Sequence, residues 1–175
     1  MGFNFTFRLM ESRKDLETLL DFLMKQSLGY PKYEAWVQRA EHEIERGYKT
    51  AILAFSGGFL VGDLIYQPHK DLPRTRELKN MRIHPNLRRR YFAHFMLKQA
   101  EVESREDYDL ILCDVRSDQP AVINLMKLFG YTSLVTTCLY NRNMQDVIMV
   151  KSFDKTSEEG ILYRTKKFIL SNNNQ

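Results

Sequence analysis

Leu110-Ile111-Leu112-Cys113 is an unbroken apolar run inside Asp109–Val115. A strand with one wet face alternates polar and apolar residues. A run without alternation therefore belongs at the centre of a sheet covered on both faces. The rest of the chain must supply those covering layers, and at 175 residues with 43% hydrophobic content it has the material for one domain with a real core.

Helical and strand periods follow one another in a readable order. Phe3, Phe5, Phe7 and Leu9 alternate with polar residues as a first strand. Ser12 and Asp15 form a capping-box pattern ahead of a helix carrying Leu16, Leu19, Leu20, Leu23 and Met24, broken by Gly29 and Pro31. A second helix places Tyr33, Trp36, Val37, Ala40 and Ile44 on one stripe, with Gly47 at its end. Thr50–Phe55 and Phe59–Tyr66 flank Ser56-Gly57-Gly58, a hairpin signal. After a proline-bearing loop over 67–75, Glu77–His84 is a strand stopped by Pro85. The next helix carries Phe92, Phe95, Met96 and Ala100 on its apolar side. Asp118 is placed to cap a helix with Pro120 in its first turn, packing Val122, Leu125, Met126 and Phe129 and ending at Gly130. Tyr131–Tyr140 and Asp146–Phe153 close the pattern as a strand pair around Asn141–Gln145.

The order βααββ, βα, βα, ββ predicts an α/β fold: a mixed, mostly antiparallel central sheet with helices on both faces, a three-layer sandwich over 1–153. Residues 154–175 form a C-terminal extension, expected to be partly flexible. Ser171–Gln175 is polar, while Ile161–Tyr163 and Phe168–Leu170 suit either an added helix or a strand.

Lys+Arg 26 against Asp+Glu 22 gives +4 and a pI near 9.0, which favours anionic ligands without demanding nucleic acid. Cys113 and Cys138 cannot build a disulfide framework or a four-ligand zinc site alone, and both fall in strand patterns as core cysteines. His42, His69, His84 and His94 lack metal-ligand spacing. No run approaches the ~20 apolar residues of a membrane helix. The start of the chain reads as a strand rather than a signal peptide, so the protein is expected to be soluble and cytoplasmic. Met1-Gly2-Phe3-Asn4-Phe5-Thr6 also fits the loose myristoylation template, a weaker reading than the strand.

The most informative stretch is Ile83-His84-Pro85-Asn86-Leu87-Arg88-Arg89-Arg90-Tyr91-Phe92-Ala93. A strand ends, a cationic turn follows and a helix opens, and free N–H groups at a helix start attract anions. There is no Walker A motif and no complete Rossmann glycine pattern. The stretch resembles motif A of the GNAT N-acetyltransferase superfamily, V-x-P-x-x-[RQ]-x-x-G-x-[GA], with Ile83, Pro85, Arg88 and Ala93 at matching positions. Asp118–Tyr131 resembles the family's motif B helix, ending in Gly130-Tyr131, and the element order over 3–153 resembles the family fold.

The resemblance implies acetyl-CoA as acyl donor, between the fourth and fifth strands and with no metal. Its pantetheine arm would meet backbone at Met81, Arg82 and Ile83, and its pyrophosphate the N–H groups of Arg88, Arg89, Arg90, Tyr91, Phe92 and Ala93. Glu77 stands where several family members place a general base. Tyr30, Tyr33 and Trp36 fall in the region the family uses as an acceptor lid, though ordinary core packing also accounts for them. Two positions depart from the pattern: the first family glycine is Tyr91, and the tyrosine that protonates the leaving thiolate in many members is Met126.

The expectation is an N-acetyltransferase passing acetyl from acetyl-CoA to a small-molecule, protein or tRNA-linked amine, with no membrane partner and a homodimer left open. A non-catalytic CoA-binding or protein-interaction module is the alternative, and a nucleic-acid-binding domain is a third.

Overall fold

A computed structural model describes residues 4–26, 29 and 32–172. The start of the myristoylation template, Phe3 of the first strand and Tyr30 lie outside them. Among the described residues, seven strands and five α-helices run β1 (Phe5–Leu9), α1 (Arg13–Lys25), α2 (Tyr33–Glu45), β2 (Thr50–Ser56), β3 (Phe59–Pro68), β4 (Thr75–Ile83), a 3-10 turn (Pro85–Leu87), α3 (Phe92–Val102), β5 (Leu110–Arg116), α4 (Pro120–Leu128), β6 (Thr132–Asn141), β7 (Met144–Ser152) and α5 (Glu158–Asn172). The strands form one mixed sheet in the order β1-β2-β3-β4-β5-β7-β6. β4 and β5 pair in parallel, while β1–β2, β2–β3, β5–β7 and β6–β7 are antiparallel. The chain divides into two compact units, Met1–Gln67 with Lys79–Glu103, and Pro68–Leu78 with Ser104–Gln175.

In the first unit, local chemistry sets the elements. The Ser12 hydroxyl accepts from the Asp15 N–H at 3.1 Å and the Asp15 carboxylate accepts from the Ser12 N–H at 3.2 Å, completing the capping box. Arg8 on β1 adds a two-pronged ion pair to Asp15 at 2.6 and 2.7 Å, which fixes the strand to the start of α1. Gly57 and Gly58, both at positive φ (58° and 85°), close the β2–β3 hairpin in the mirror-image turn that matches strand twist. Leu16, Leu19 and Leu23 of α1 and Tyr33, Val37 and Ile44 of α2 pack on Ala51, Leu53 and Ile65. The stripe read for α3 holds at Phe92, Met96 and Ala100, but Phe95 is exposed. Leu97 is buried there instead, and the Phe95 ring lies against Phe7, centroids 5.2 Å apart.

The hydrogen bond to Arg8 comes first among the causes that hold the Asp15 carboxyl well below the usual carboxylate range. A carboxylate depressed in the folded state contributes stability that is present above its unfolded pKa, near 4, and is lost as pH falls. Asp15→Asn should therefore lower stability by about 1–2 kcal/mol at pH 7. Thermal melts should show that deficit shrinking below pH 4, and an equal deficit at pH 3 and pH 7 would refute the capping account.

In the second unit, β5 lies between β4 and β7 and is buried from Leu110 to Cys113, as its unbroken apolar run requires. Residues 158–172 resolve the open reading of the C-terminal segment in favour of a helix. Its Ile161 joins Leu110, Leu112, Ile148 and Val150 in one cluster, with Leu162 and Ile169 packed against it. Two expectations are corrected here. Asp118 does not cap α4: its carboxylate is held in a fork by Arg116, and Gln119 stands at the cap position with its side chain turned to Asp118 rather than to the helix N–H groups. A charge-assisted pair outcompetes a neutral backbone N–H for that carboxylate. Cys138 is exposed rather than in the core, because it shares the outward face of β6 with Thr136 and Tyr140, while Thr137 and Leu139 between them are half-buried. On α4, Met126 alone of the expected stripe is fully buried, with Val122, Leu125 and Phe129 half-buried.

Candidate active site

The end of β4 is held closely against β3 within its unit. His84 N–H donates to the Val61 carbonyl at 2.8 Å, and Gly62 on β3 faces the Arg82 carbonyl so closely that a Cβ there would lie 3.0 Å from it. The chain then turns through Pro85–Leu87, where the His84 ring nitrogen Nδ1 accepts from the Asn86 N–H at 3.3 Å. Arg88 folds back, its Nε donating to the Ile83 carbonyl at 3.3 Å.

Arg89 and Tyr91 both take left-handed backbone, with φ of 62° and 64°. For side-chain-bearing residues this costs roughly 1–2 kcal/mol each, and it explains why the pattern this stretch resembles has glycine where Tyr91 stands. The Tyr91 ring is 73% exposed and meets His94 edge-on, centroids 6.2 Å apart. Its bulk is thus carried outward. α3 opens at Phe92 with no side-chain cap on its first N–H groups, and Arg88, Arg89 and Arg90 are all exposed beside it. Unsatisfied N–H groups, the positive end of the helix dipole and three guanidinium groups together suit a multiply charged anion.

Glu77 lies in the second unit, half-buried on β4 opposite Leu112 of β5. The parallel register with β5 covers Thr75–Leu78 against Leu110–Cys113, so Met81, Arg82 and Ile83 come after the last β5-paired residue of the strand. Tyr140, near the end of β6, lies within electrostatic reach of Asp114 of β5. Although half of Tyr140 is exposed, desolvation of its phenol, followed by the Asp114, Glu77 and Asp146 carboxylates, drives that phenol well above its usual range. Asp146 accepts from the Leu139 N–H through Oδ2, and its Oδ1 has no hydrogen-bond partner among the described residues. Sequence reading singles out Glu77 and passes over Tyr140 and Asp114, because neighbours on other strands rather than local spacing bring these groups within electrostatic reach of one another.

Tyr33 and Trp36 are in the first unit. Their rings stack with centroids 5.9 Å apart, Tyr33 buried and Trp36 half-buried. The Tyr33 hydroxyl donates to the Leu23 carbonyl at 2.9 Å and accepts from Arg82. Behind them sits a carboxylate that sequence reading passed over. Asp63 is fully buried on β3, accepts from the Asn80 amide, and is pushed up to about 7, chiefly by desolvation. Met126 is buried in α4, a packing residue with no proton to give. Among the described residues no three His, Cys, Asp or Glu side chains are grouped to hold a metal, and no helix is long and apolar enough to cross a membrane.

The sequence over residues 15–131 matches the model of the acetyltransferase (GNAT) family. The chain belongs to that family. As a GNAT protein it shares its fold with solved structures at low identity. A putative GNAT acetyltransferase from Desulfovibrio desulfuricans superposes with a TM-score of 0.75 at 11% identity, covering 86% of this chain and 100% of that one. The ribosomal-protein-S18-alanine N-acetyltransferase of Escherichia coli gives 0.68 at 15% identity, covering 86% and 95%. A chimera of the spermidine N-acetyltransferase from Vibrio cholerae gives 0.67 at 17% identity, covering 85% and 95%. No curated protein matches this GNAT sequence.

Proposed function

We propose that this GNAT protein transfers the acetyl group of acetyl-CoA to a primary amine. The observation that carries the reading is the uncapped, arginine-flanked start of α3, reached directly from the end of β4. N–H groups from Arg88 to Ala93 would hold the pyrophosphate, with charge from Arg88, Arg89 and Arg90. Met81, Arg82 and Ile83 would offer backbone to the pantetheine arm. Glu77 acts as general base, directly or through a water. The carboxylate takes one proton from the acceptor ammonium, the freed amine nitrogen attacks the thioester carbonyl carbon, the C–S bond breaks and the nitrogen gives its second proton to water. CoA leaves as thiolate and takes a proton from water, since Met126 supplies none, giving an acetamide and free CoA. Catalysis then rests largely on holding the two reactants together. Tyr33 and Trp36 border the acceptor.

Two GNAT structures of similar fold carry ribosomal-protein-S18-alanine and spermidine in their names. Those amines, with an aminoacyl-tRNA, are reasonable first acceptors to try. Acetyl-CoA at a hundred times its Kd should add ~2.7 kcal/mol to stability, a rise of about 5–10 °C in Tm for a chain of this size. No shift, with no calorimetric heat up to millimolar acetyl-CoA, would remove the reading. Binding without release of CoA thiol to any of the three acceptors would instead favour the non-catalytic module.

A further inference from the structure

Arg82 carries a buried guanidinium that no proposed chemical step uses. The residue is 5% exposed, on a strand whose neighbouring positions are half-buried. Its Nη1 donates to the carbonyls of Leu23, at 3.3 Å, and Gln26, both at the end of α1, and to the hydroxyl of Tyr33, the first residue of α2. Its Nε donates to Asn80 Oδ1 at 3.0 Å, and Asn80 in turn donates to Asp63. The guanidinium carbon lies 4.6 Å from the centre of the Tyr33 ring.

These partners have a physical logic. The last carbonyls of a helix have no partner inside it and sit at the negative end of its dipole, so a cation there is favoured. Here the cation comes from another element, 56 and 59 residues away in sequence. Arg82 thereby closes the end of α1 and holds the start of α2 through Tyr33. The same residue's backbone is pinned on its other side, its carbonyl against Gly62 of β3. A planar guanidinium satisfies four acceptors and a ring at once, which an ammonium cannot do.

We infer that Arg82 is a positioning residue that fixes the α1–α2 junction, on the acceptor side, to the segment of β4 that carries the acyl donor. This rests on the function proposed above, since it needs a donor on the backbone of Met81–Ile83. Any displacement of that backbone on binding is then transmitted to the last turn of α1 and the first turn of α2 through one side chain.

Hydrogen–deuterium exchange with acetyl-CoA as the probe tests it, on wild type, Arg82→Lys and Tyr33→Phe. Tyr33→Phe keeps the buried ring and removes only the hydroxyl, so it serves where Arg82→Lys fails to fold. In wild type, acetyl-CoA should slow exchange about tenfold in the last turn of α1 and the first turn of α2, as well as in β4. With acetyl-CoA brought to saturation for each protein, as read by calorimetry, both variants should still protect β4, yet Arg82→Lys should lose most of the ligand-induced protection in α1 and α2, and Tyr33→Phe most of that in the first turn of α2. A merely structural role would loosen α1 and α2 equally with and without ligand. That result, or unchanged ligand-induced protection in the folded variants, or none in wild type, overturns the inference and leaves the acetyl-CoA reading standing. Absence of binding heat in wild type defeats that reading and the inference with it.

Discussion

Replacing Arg88, Arg89 and Arg90 together by glutamine should weaken acetyl-CoA binding by about a thousandfold while leaving the Tm of the free protein within a few degrees. Each guanidinium near a phosphate contributes about 1.4 kcal/mol, tenfold in Kd, when its hydrogen bond is charge-assisted and partly screened by solvent. Three such groups flank one helix start. All three are exposed, and the side-chain bond from Arg88 to the Ile83 carbonyl lies in a turn, so folding loses little. Raising the salt should narrow the gap between wild type and variant, because exposed charges are screened over about 3 Å at 1 M. Calorimetric titration at 0.1 and 0.5 M salt reads both effects. A loss of tenfold or less at low salt would move the anion to another site.

Glu77→Gln should reduce kcat/KM for amine transfer about a hundredfold near pH 7, the scale of a positioned general base. The deficit should be pH-dependent, and its sign follows from the acceptor. An alkyl amine is almost wholly protonated at neutral pH, its pKa being near that of lysine at about 10.4. Below that value attack requires a proton to be taken away, and the glutamine cannot accept one. As pH rises towards 10 the free amine dominates, and the variant should converge on wild type. Profiles of kcat/KM from pH 6 to 10 decide the matter, provided CoA release is followed directly. A constant ratio across the range would assign the base to water or to another group, with the Asp114–Tyr140 pair the next to test.

Elements with a local signal are read from the chain with little loss. The Gly57-Gly58 turn, the Ser12–Asp15 box and the Pro85 break each rest on residues a few positions apart, and the structure places each where its chemistry demands. The unbroken run at Leu110–Cys113 likewise announces a strand inside the sheet. What stays hidden is set by partners distant in sequence. Asp118 is the exception: it looks like a cap, but Arg116, two residues away, takes its carboxylate. Arg82 reads as one more charge on a strand until α1 and Tyr33 converge on it. Asp63 sits in an apolar run, Leu60 to Tyr66, without a local sign that Asn80 will meet it. For the candidate site the arginine turn and Glu77 are visible in the sequence, while Asp114 and Tyr140 emerge through neighbours on other strands. The left-handed backbone at Tyr91 is legible only by contrast with a glycine pattern.

The two cysteines end in opposite environments, and that asymmetry has a practical use. Cys113 is buried in β5, where desolvation pushes its thiol far above the range in which a thiolate forms. Cys138 is exposed on β6, its thiol directed at the Arg142 carbonyl 3.6 Å away. Alkylation requires a thiolate that solvent can reach. An unmutated chain therefore offers a single attachment point for a fluorophore or spin label, two residues from Tyr140. A dye placed there would report on the β6–β7 hairpin while an acceptor is sought, without any change to the native sequence.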